Sequence, residues 1–235
     1  MKRSLVVVAA LAFFASCGAS SNPQLKAKIS PYFSAPSQAV YGKNRNFIKP
    51  MPYGVGQYVV MGTTEKDGKR SVTKTSIVGR EAGGWILESY SLSESSEGIV
   101  QMLIRGMEKA AATGNVDDVE IVWIKTRDKD GNVQVIEGPM LMMAKSLYKG
   151  SLENLSVKVQ SYVDGGVIVV PAGSFAGTNK VKAEVRILGR TYRSTGWHHY
   201  SVPINGMVKS VSDDGKMVME LLAFGYKGAV SQFGK

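Results

Sequence analysis

Few side chains in this chain are suited to catalysis or metal binding, and Cys17 has the clearest context among them. The 235 residues include one cysteine and two histidines, His198 and His199, which are adjacent. On a strand, adjacent side chains point to opposite faces, so the two histidines are not expected to act as a pair. A zinc site needs three or four ligands, and nucleophilic catalysis needs a base beside the nucleophile. The sequence therefore predicts no catalytic residue, no metal site and no cofactor, and we expect that the protein is not an enzyme.

Cys17 follows a segment with the features of a secretory signal peptide. Lys2 and Arg3 precede an apolar run over residues 5–15, which is too short to span a bilayer. Small residues directly before a lone cysteine resemble the bacterial lipobox, in which the cysteine is acylated and becomes the mature N-terminus. This resemblance implies that residues 1–16 are removed as the signal, that acyl groups on Cys17 anchor the protein, and that it lives in the cell envelope.

The residues beside Cys17 bear on whether it is acylated and in which membrane it would be anchored. Phe14 stands where the lipobox usually carries leucine, and an ordinary cleaved signal that leaves Cys17 as a free thiol is the alternative. Gly18 follows the cysteine, with no aspartate to indicate retention at the inner membrane, which resembles an outer-membrane address facing the periplasm. One cysteine provides no disulfide framework, so the fold must be held together by core packing.

Size and charge limit the kind of partner. Removal of residues 1–16 leaves 219 residues, enough for one large β domain or two small ones, and lowers the net charge from +10 to +8. Outside the cytoplasm, a basic protein meets lipid headgroups, lipopolysaccharide or anionic wall polymer, so we expect no nucleic-acid partner. A charge surplus that serves only solubility explains these numbers equally well.

The chain from residue 54 to residue 235 has the pattern of one antiparallel β domain. Three Asp–Gly pairs, each typical of a two-residue hairpin loop, lie at residues 67–68, 130–131 and 214–215. The proline-bearing residues 17–53 are predicted to be a lipidated tether with a short packed element around Ser37–Ile48.

The strands differ in how many apolar faces they have. Residues 181–188 alternate between apolar and charged side chains, which predicts one face in water. Residues 119–124 are apolar on both faces, with Ile121 and Trp123 expected to point the same way. About eleven strands in one continuous meander are predicted.

Two segments predict helices. Pro139 and Gly150 bracket a helix over residues 139–149 that is apolar almost all round, so it should be buried. Its methionines suit either a core filler or a lid over an apolar ligand. A second, shorter helix is predicted over Met107–Thr113, ended by Gly114.

Several phrases resemble a group of uncharacterised bacterial secreted proteins of the LolA/LolB type, which are half-barrel lipoprotein carriers and lipid-binding proteins. The phrases are Ile77–Glu81, Gly84–Glu88, Val170–Phe175, Val202–Ser210 and Glu220–Gly225. The resemblance implies a mainly β (α+β) fold with few helices. A single curved antiparallel sheet of about 11 strands would hold the apolar helix 139–149 in its concave face. In the transporter members that face accepts acyl chains, but no catalytic residue carries over.

Two functions follow as expectations. The first is a lipid-anchored protein that binds an acyl chain, a lipid or another amphiphile in an apolar cavity under the Met-rich helix, with basic residues at the rim. The second is a non-enzymatic accessory protein of an envelope complex, with a filled core and an exposed apolar or aromatic patch. The candidate cavity-lining residues are Trp85, Leu87, Met102, Ile104, Trp123, Met140, Met142, Met143 and Leu147.

Overall fold

The computed structural model of the chain shows a mainly β architecture with few helices. It describes residues 21–34, 36–43, 45–127, 130–136, 139–142, 162–187 and 190–233, with side chains except at 184–187 and 190–192. The strands of this part are β1 (Val40–Tyr41), β2 (Tyr58–Glu65), β3 (Arg70–Glu81), β4 (Gly84–Ser93), β5 (Glu97–Arg105), β6 (Glu120–Arg127), β7 (Val133–Ile136), β8 (Val167–Val170), β9 (Gly173–Ala176), β10 (Asn179–Ile187), β11 (Arg190–His198), β12 (Met207–Ser212) and β13 (Met217–Gly225). The helices are α1 (Pro23–Ile29), a 3-10 helix (Ser30–Phe33) and α2 (Met107–Thr113).

Ten of these strands form one large antiparallel sheet. Their order is β10-β11-β12-β13-β2-β3-β4-β5-β6-β7, and the sheet is curved and does not close. Strands β10–β13 and β2–β7 are two meanders that join where β13 pairs with β2, so the prediction of one continuous meander is wrong. The predicted fold class is confirmed, and α2 has the predicted bounds, ending at Gly114 with a positive φ of 75°.

The predicted hairpin turns lie where the Asp–Gly pairs stand. Asp67–Gly68 joins β2 to β3, and Asp214–Gly215 joins β12 to β13. Gly68 and Gly215 have φ angles of 85° and 67°, in the region that side chains with a Cβ rarely adopt. The Asp–Gly signal therefore located these connections correctly, but each loop has four residues between its strands and not the predicted two.

A second, small sheet lies over the concave face of the large one. Its order is β1-β9-β8, with β1 parallel and β8 antiparallel to β9. Phe175 of β9 is fully buried and stacks on Tyr41 of β1 at 4.5 Å between ring centroids. Both rings also approach Phe224 of β13. This sheet was not predicted, and Val170 and Phe175 from its strands belong to the main core.

The described part of that helix is less buried than predicted. Residues 139–142 are helical, and residues 143–149 lie outside the described part of the chain. Leu141 packs against the main core, but Met140 and Met142 are 58% and 74% exposed. The expectation of burial all round is wrong for these two methionines. Successive helical residues point about 100° apart, so a helix that touches the core through one side leaves its neighbours in solvent.

Helix α1 and the 3-10 helix cover part of the convex face. Ile29 is buried in a cluster with Val60, Val72 and Leu92, which belong to β2, β3 and β4. The Asn22 side chain accepts a hydrogen bond from the backbone N–H of Gln24 and caps α1. These residues fall within the segment interpreted as a tether, and the chain from Asn22 onward packs on the sheet. No helix among the described residues is long and apolar enough to cross a bilayer.

Candidate functional site

Four of the predicted lining residues lie together on the concave face. Trp85 of β4 is directly opposite Ile104 of β5, and Leu87 is opposite Met102. Because side chains two residues apart on a strand share a face, all four point to the same side of the sheet. These four candidates therefore share one face of the sheet, and their role in binding a ligand stays a prediction.

These four residues are packed into a solid core. Trp85 is 7% exposed, Leu87 and Met102 are 1% exposed, and Ile104 is fully buried. A void that admits water would appear as accessible surface on the residues around it. The buried side chains of Ile77, Met107, Ile121 and Ile124 belong to the same cluster. At this position the concave face is a core, and a ligand could enter only if that core opened.

Trp123 lies on the opposite face from the other candidates. Trp123 pairs with Leu103, and Ile121 pairs with Ile104. Between these two pairs, β6 has a bulge with one extra residue. The extra residue in β6 puts Ile121 and Ile124 on the core side and reverses Trp123. Its ring lies 4.7 Å from the ammonium group of Lys125. The prediction that Ile121 and Trp123 share a face is wrong for this reason.

The rim of the concave face carries a polar group of residues around Trp85. The indole Nε1–H of Trp85 donates a 2.7 Å hydrogen bond to Glu108, which is the first-turn acid of α2. The Arg80 guanidinium lies 4.7 Å from the Trp85 ring and 3.8 Å from the Glu108 carboxylate. Burial and the nearby Glu108 carboxylate raise the pKa of Tyr53, whose ring meets Trp85 edge-on. The sequence missed these partners, although the short β3–β4 turn implies that Arg80 is opposite Trp85.

The two histidines occupy different environments. His198 ends β11, stacks on Phe47 at 5.1 Å and is fully buried, which lowers its pKa to about 4. The ring of His199 meets Phe175 edge-on at 5.4 Å, and burial lowers its pKa as well. Both rings are therefore neutral at pH 7. Within the described ranges, no three His, Cys, Asp or Glu side chains are grouped so that they could hold a metal ion.

The outer face of the small sheet is uncharged and exposed. Val40, Ser174 and Val169 form a row across its three strands, and Val167 pairs with Ala176. Val40 is 77% exposed, Val169 is 70% exposed and Val167 is 62% exposed. A sheet with one face on the core usually places polar residues on the other face. We call these five residues the valine face.

Sequence reasoning missed the valine face because Val167–Val170 is apolar at every position. Such a run is typical of a strand buried on both sides. In the structure, Ile168 and Val170 face the core, while Val167 and Val169 face solvent. The other predicted site residues, Cys17, Met143 and Leu147, lie outside the described residues.

Solved structures that resemble this chain share little sequence identity with it. One is a protein from Parabacteroides distasonis proposed to be a lipoprotein; it is 14% identical, has a TM-score of 0.36, and the match covers 77% of this chain and 100% of that one. Another is a protein from Bacteroides fragilis proposed to be exported, with a YmcC-like fold; it is 12% identical, has a TM-score of 0.34, and the match covers 76% of this chain and 100% of that one. No protein-family model and no curated protein matches the chain. Its function must therefore be inferred from its own residues.

Proposed function

We propose that this protein is a non-enzymatic lipoprotein of the cell envelope that binds another envelope protein through its valine face. Acyl groups on Cys17 would anchor it, in the outer membrane and facing the periplasm. The observation that carries the proposal is the exposure of Val40, Val167 and Val169 on a face without charge. Contiguous exposed apolar surface on a folded protein commonly marks an interaction site.

Burial of the valine face against a partner would contribute substantially to the free energy of binding. Full burial of a valine side chain contributes roughly 1.5–3 kcal/mol, so three largely exposed valines supply several kcal/mol before the cost of association. Ser174 and Ala176 lie between them and add no charge that a partner would have to desolvate. The surface therefore favours a partner that is itself apolar at the point of contact.

The surroundings of the valine face favour a protein partner over a lipid bilayer. At the end of the small sheet, the Lys43 ammonium lies 4.8 Å from the ring of Tyr162, whose hydroxyl donates to Asp164. The backbone N–H of Gly166 and the Tyr162 hydroxyl lower the pKa of Asp164, so this carboxylate is charged. An apolar centre with a charged rim of both signs is typical of protein interfaces.

The size of the face argues against a dimer held by this surface alone. A stable interface buries about 800 Å² on each partner. Five small side chains supply only part of that area. We therefore expect a partner that continues beyond the valine face over the rim that contains Lys43 and Asp164.

A site-specific crosslinking experiment in intact cells tests the proposal. A photoreactive amino acid at Val169 should crosslink to one discrete envelope protein, whereas the same amino acid at Val133 should not. Val133 is a matched control because it is an exposed valine on a strand of the large sheet. The captured protein, identified and purified, should bind the wild-type domain and bind Val169→Glu at least about tenfold more weakly, a loss of about 1.4 kcal/mol. Equal crosslinking at both positions, or unchanged affinity of Val169→Glu, would contradict the proposal.

Amphiphile binding on the concave face is the second candidate, and the rim around Trp85 favours it. Arg80 offers a positive charge there, beside the indole of Trp85 and above an apolar interior. In this case, native mass spectrometry of the purified protein should detect a bound lipid that Trp85→Ala loses. A wild-type protein without bound lipid that also fails to bind a fluorescent fatty acid would leave only the first candidate.

A further inference from the structure

We propose that, in the acylated protein, the hairpin end of the large sheet faces the bilayer. The hairpin end is defined by the turns β2–β3 (residues 65–70), β4–β5 (residues 93–97) and β12–β13 (residues 212–217), which lie side by side. The inference rests on the acylation of Cys17 in the proposed function. It adds which surface of the domain meets the lipid.

The start of the described chain is fastened to this end. The backbone N–H of Asn22 donates to the carbonyl of Glu94 at 2.7 Å, and the hydroxyl of Ser21 donates to the Glu94 carboxylate at 3.1 Å. Glu94 lies in the β4–β5 turn. Further along α1, Lys28 forms an ion pair of 2.6 Å with Glu97, at the start of β5. The N-terminus of α1 therefore lies at the hairpin end.

Apolar packing keeps this attachment in place. Ile29 is 2% exposed and packs with Val60, Val72 and Leu92 on the convex face. The ring of Phe33 lies so close to Gly62 that a Cβ at that glycine would be 2.7 Å from it. Residues 22–33 therefore belong to the folded domain and are not a spacer.

The covalent chain from Cys17 to the domain is too short to reach elsewhere. Four peptide steps separate Cys17 from Ser21, and a fully extended chain spans at most about 14 Å over four residues. Strand β4 has ten residues and is roughly 30 Å long at about 3.3 Å per residue. The opposite end of the sheet, which carries α2, therefore lies about 30 Å farther from the anchor than the hairpin end.

The charges of the hairpin end do not form a cationic lipid-binding surface. Lys69 pairs with Asp67 at 2.7 Å, and Lys216 pairs with Asp214 at 3.0 Å. The β2–β3 and β12–β13 turns carry both signs, and the β4–β5 turn carries only the acids Glu94 and Glu97, so the attraction to anionic headgroups is small. The orientation should therefore depend on the acyl anchor and the short chain, and not on the content of anionic lipid.

Energy transfer to an acceptor lipid measures which end is closer to the bilayer. Lys69→Cys labels the hairpin end, and Lys109→Cys labels α2 at the opposite end. The two lysines are matched, because their side chains are 64% and 63% exposed and each pairs with one aspartate. In the acylated protein the sulfur of Cys17 is a thioether, so a maleimide dye reacts only at the introduced cysteine.

The expected result is higher transfer efficiency from position 69 than from position 109, by about twofold or more over the 30 Å difference. The vesicles contain phosphatidylethanolamine with or without phosphatidylglycerol, and the difference should persist in both. Equal or reversed transfer, with the protein bound and its acyl mass confirmed, would overturn the orientation alone. No acyl mass and no vesicle binding would instead overturn the anchor itself.

A variant with a longer linker tests whether the short chain between Cys17 and Ser21 orients the domain. Insertion of 25 Gly/Ser residues between Ser20 and Ser21 gives a root-mean-square reach of about 25–30 Å. The difference between the two label positions should then shrink. A difference that survives the insertion at full size would mean that a surface contact orients the domain, which contradicts the mechanism proposed here.

Discussion

The carboxylate of Glu88, in the middle of strand β4, accepts a 3.0 Å hydrogen bond from the backbone N–H of Gln232. Glu88 is 3% exposed and lies on the convex face. The amide of Gln101 and the hydroxyl of Ser231 also donate to it, at 3.1 and 3.2 Å. Together, these bonds hold the C-terminal segment on the part of the convex face that α1 leaves open.

Replacement of Glu88 by glutamine should therefore destabilise the fold. A carboxylate accepts all three donors, whereas an amide presents its own N–H₂ group to at least one of them. Loss of hydrogen bonds to a buried charged group costs about 1.5–3 kcal/mol each, so we expect a loss of about 2 kcal/mol in the free energy of unfolding. Urea denaturation measures this loss. Glu81→Gln at an exposed position is the control, and an equal effect of both variants would contradict the role of Glu88.

The stability of the protein should fall as the pH falls from about 6.5 to 4, because burial disfavours the protonated form of His198 in the folded protein. The carbonyl of Asn205, which only accepts, lies 3.2 Å from Nδ1, so Nδ1 carries the proton. Nε2 has no partner in the described part of the chain, and burial lowers the pKa of His198 from 6.5 to about 4. The unfolded chain binds the proton first, which removes stability below pH 6.5.

The size of this effect follows from the shift in the pKa of His198. A shift of one unit corresponds to 1.36 kcal/mol, so the full loss is about 3 kcal/mol once the pH has reached 4. Denaturation curves at several pH values should show a weaker slope for His198→Asn than for the wild type. His199 contributes in the same direction in both proteins. Parallel slopes for the two proteins would show that His198 does not cause the loss.

The sequence predicted those parts of the fold that local patterns determine. The Asp–Gly turns located hairpins, and Gly114 located the end of α2. Each of these signals depends on residues close together in the chain.

The missed features depend on residues far apart in the chain or on one inserted residue. Val40 pairs with Ser174, which is too distant for any local pattern to predict, so the small sheet and the valine face were missed. The bulge in β6 reversed Trp123, because one extra residue shifts every later side chain to the other face. Glu108 reaches Trp85 only because α2 folds back beside β4.

Replacement of Cys17 by alanine should release the protein from the membrane fraction. The proposed anchor needs the thiol for acylation, and acyl chains contribute about 0.8 kcal/mol per buried methylene group. Cell fractionation and mass spectrometry of the N-terminal peptide measure the two effects. Ser20→Ala, three residues away, should leave both unchanged. Unaltered membrane association of Cys17→Ala would mean that the cysteine is not the anchor.

Replacement of Leu87 by alanine should cost about 2–5 kcal/mol of the free energy of unfolding, because its side chain is packed on every side. If Leu87 instead lined a hollow for ligand, truncation would enlarge that hollow and cost much less. Val133→Ala, at an exposed strand position, should change stability by no more than about 0.5 kcal/mol. Chemical denaturation compares the two variants, and a small loss in the free energy of unfolding for Leu87→Ala would support a ligand cavity at this position.

Replacement of Gly62 by alanine should loosen the N-terminal helices from the convex face. A Cβ at Gly62 would lie 2.7 Å from the ring of Phe33 and from a methyl group of Leu222, so both side chains must shift. Overpacking of this kind costs typically 1–3 kcal/mol. Gly98→Ala is a matched control on β5, where the nearest atom is 3.8 Å away. Limited proteolysis should cut Gly62→Ala within residues 21–33 faster than the control, and equal cleavage would show that Phe33 does not fasten this segment.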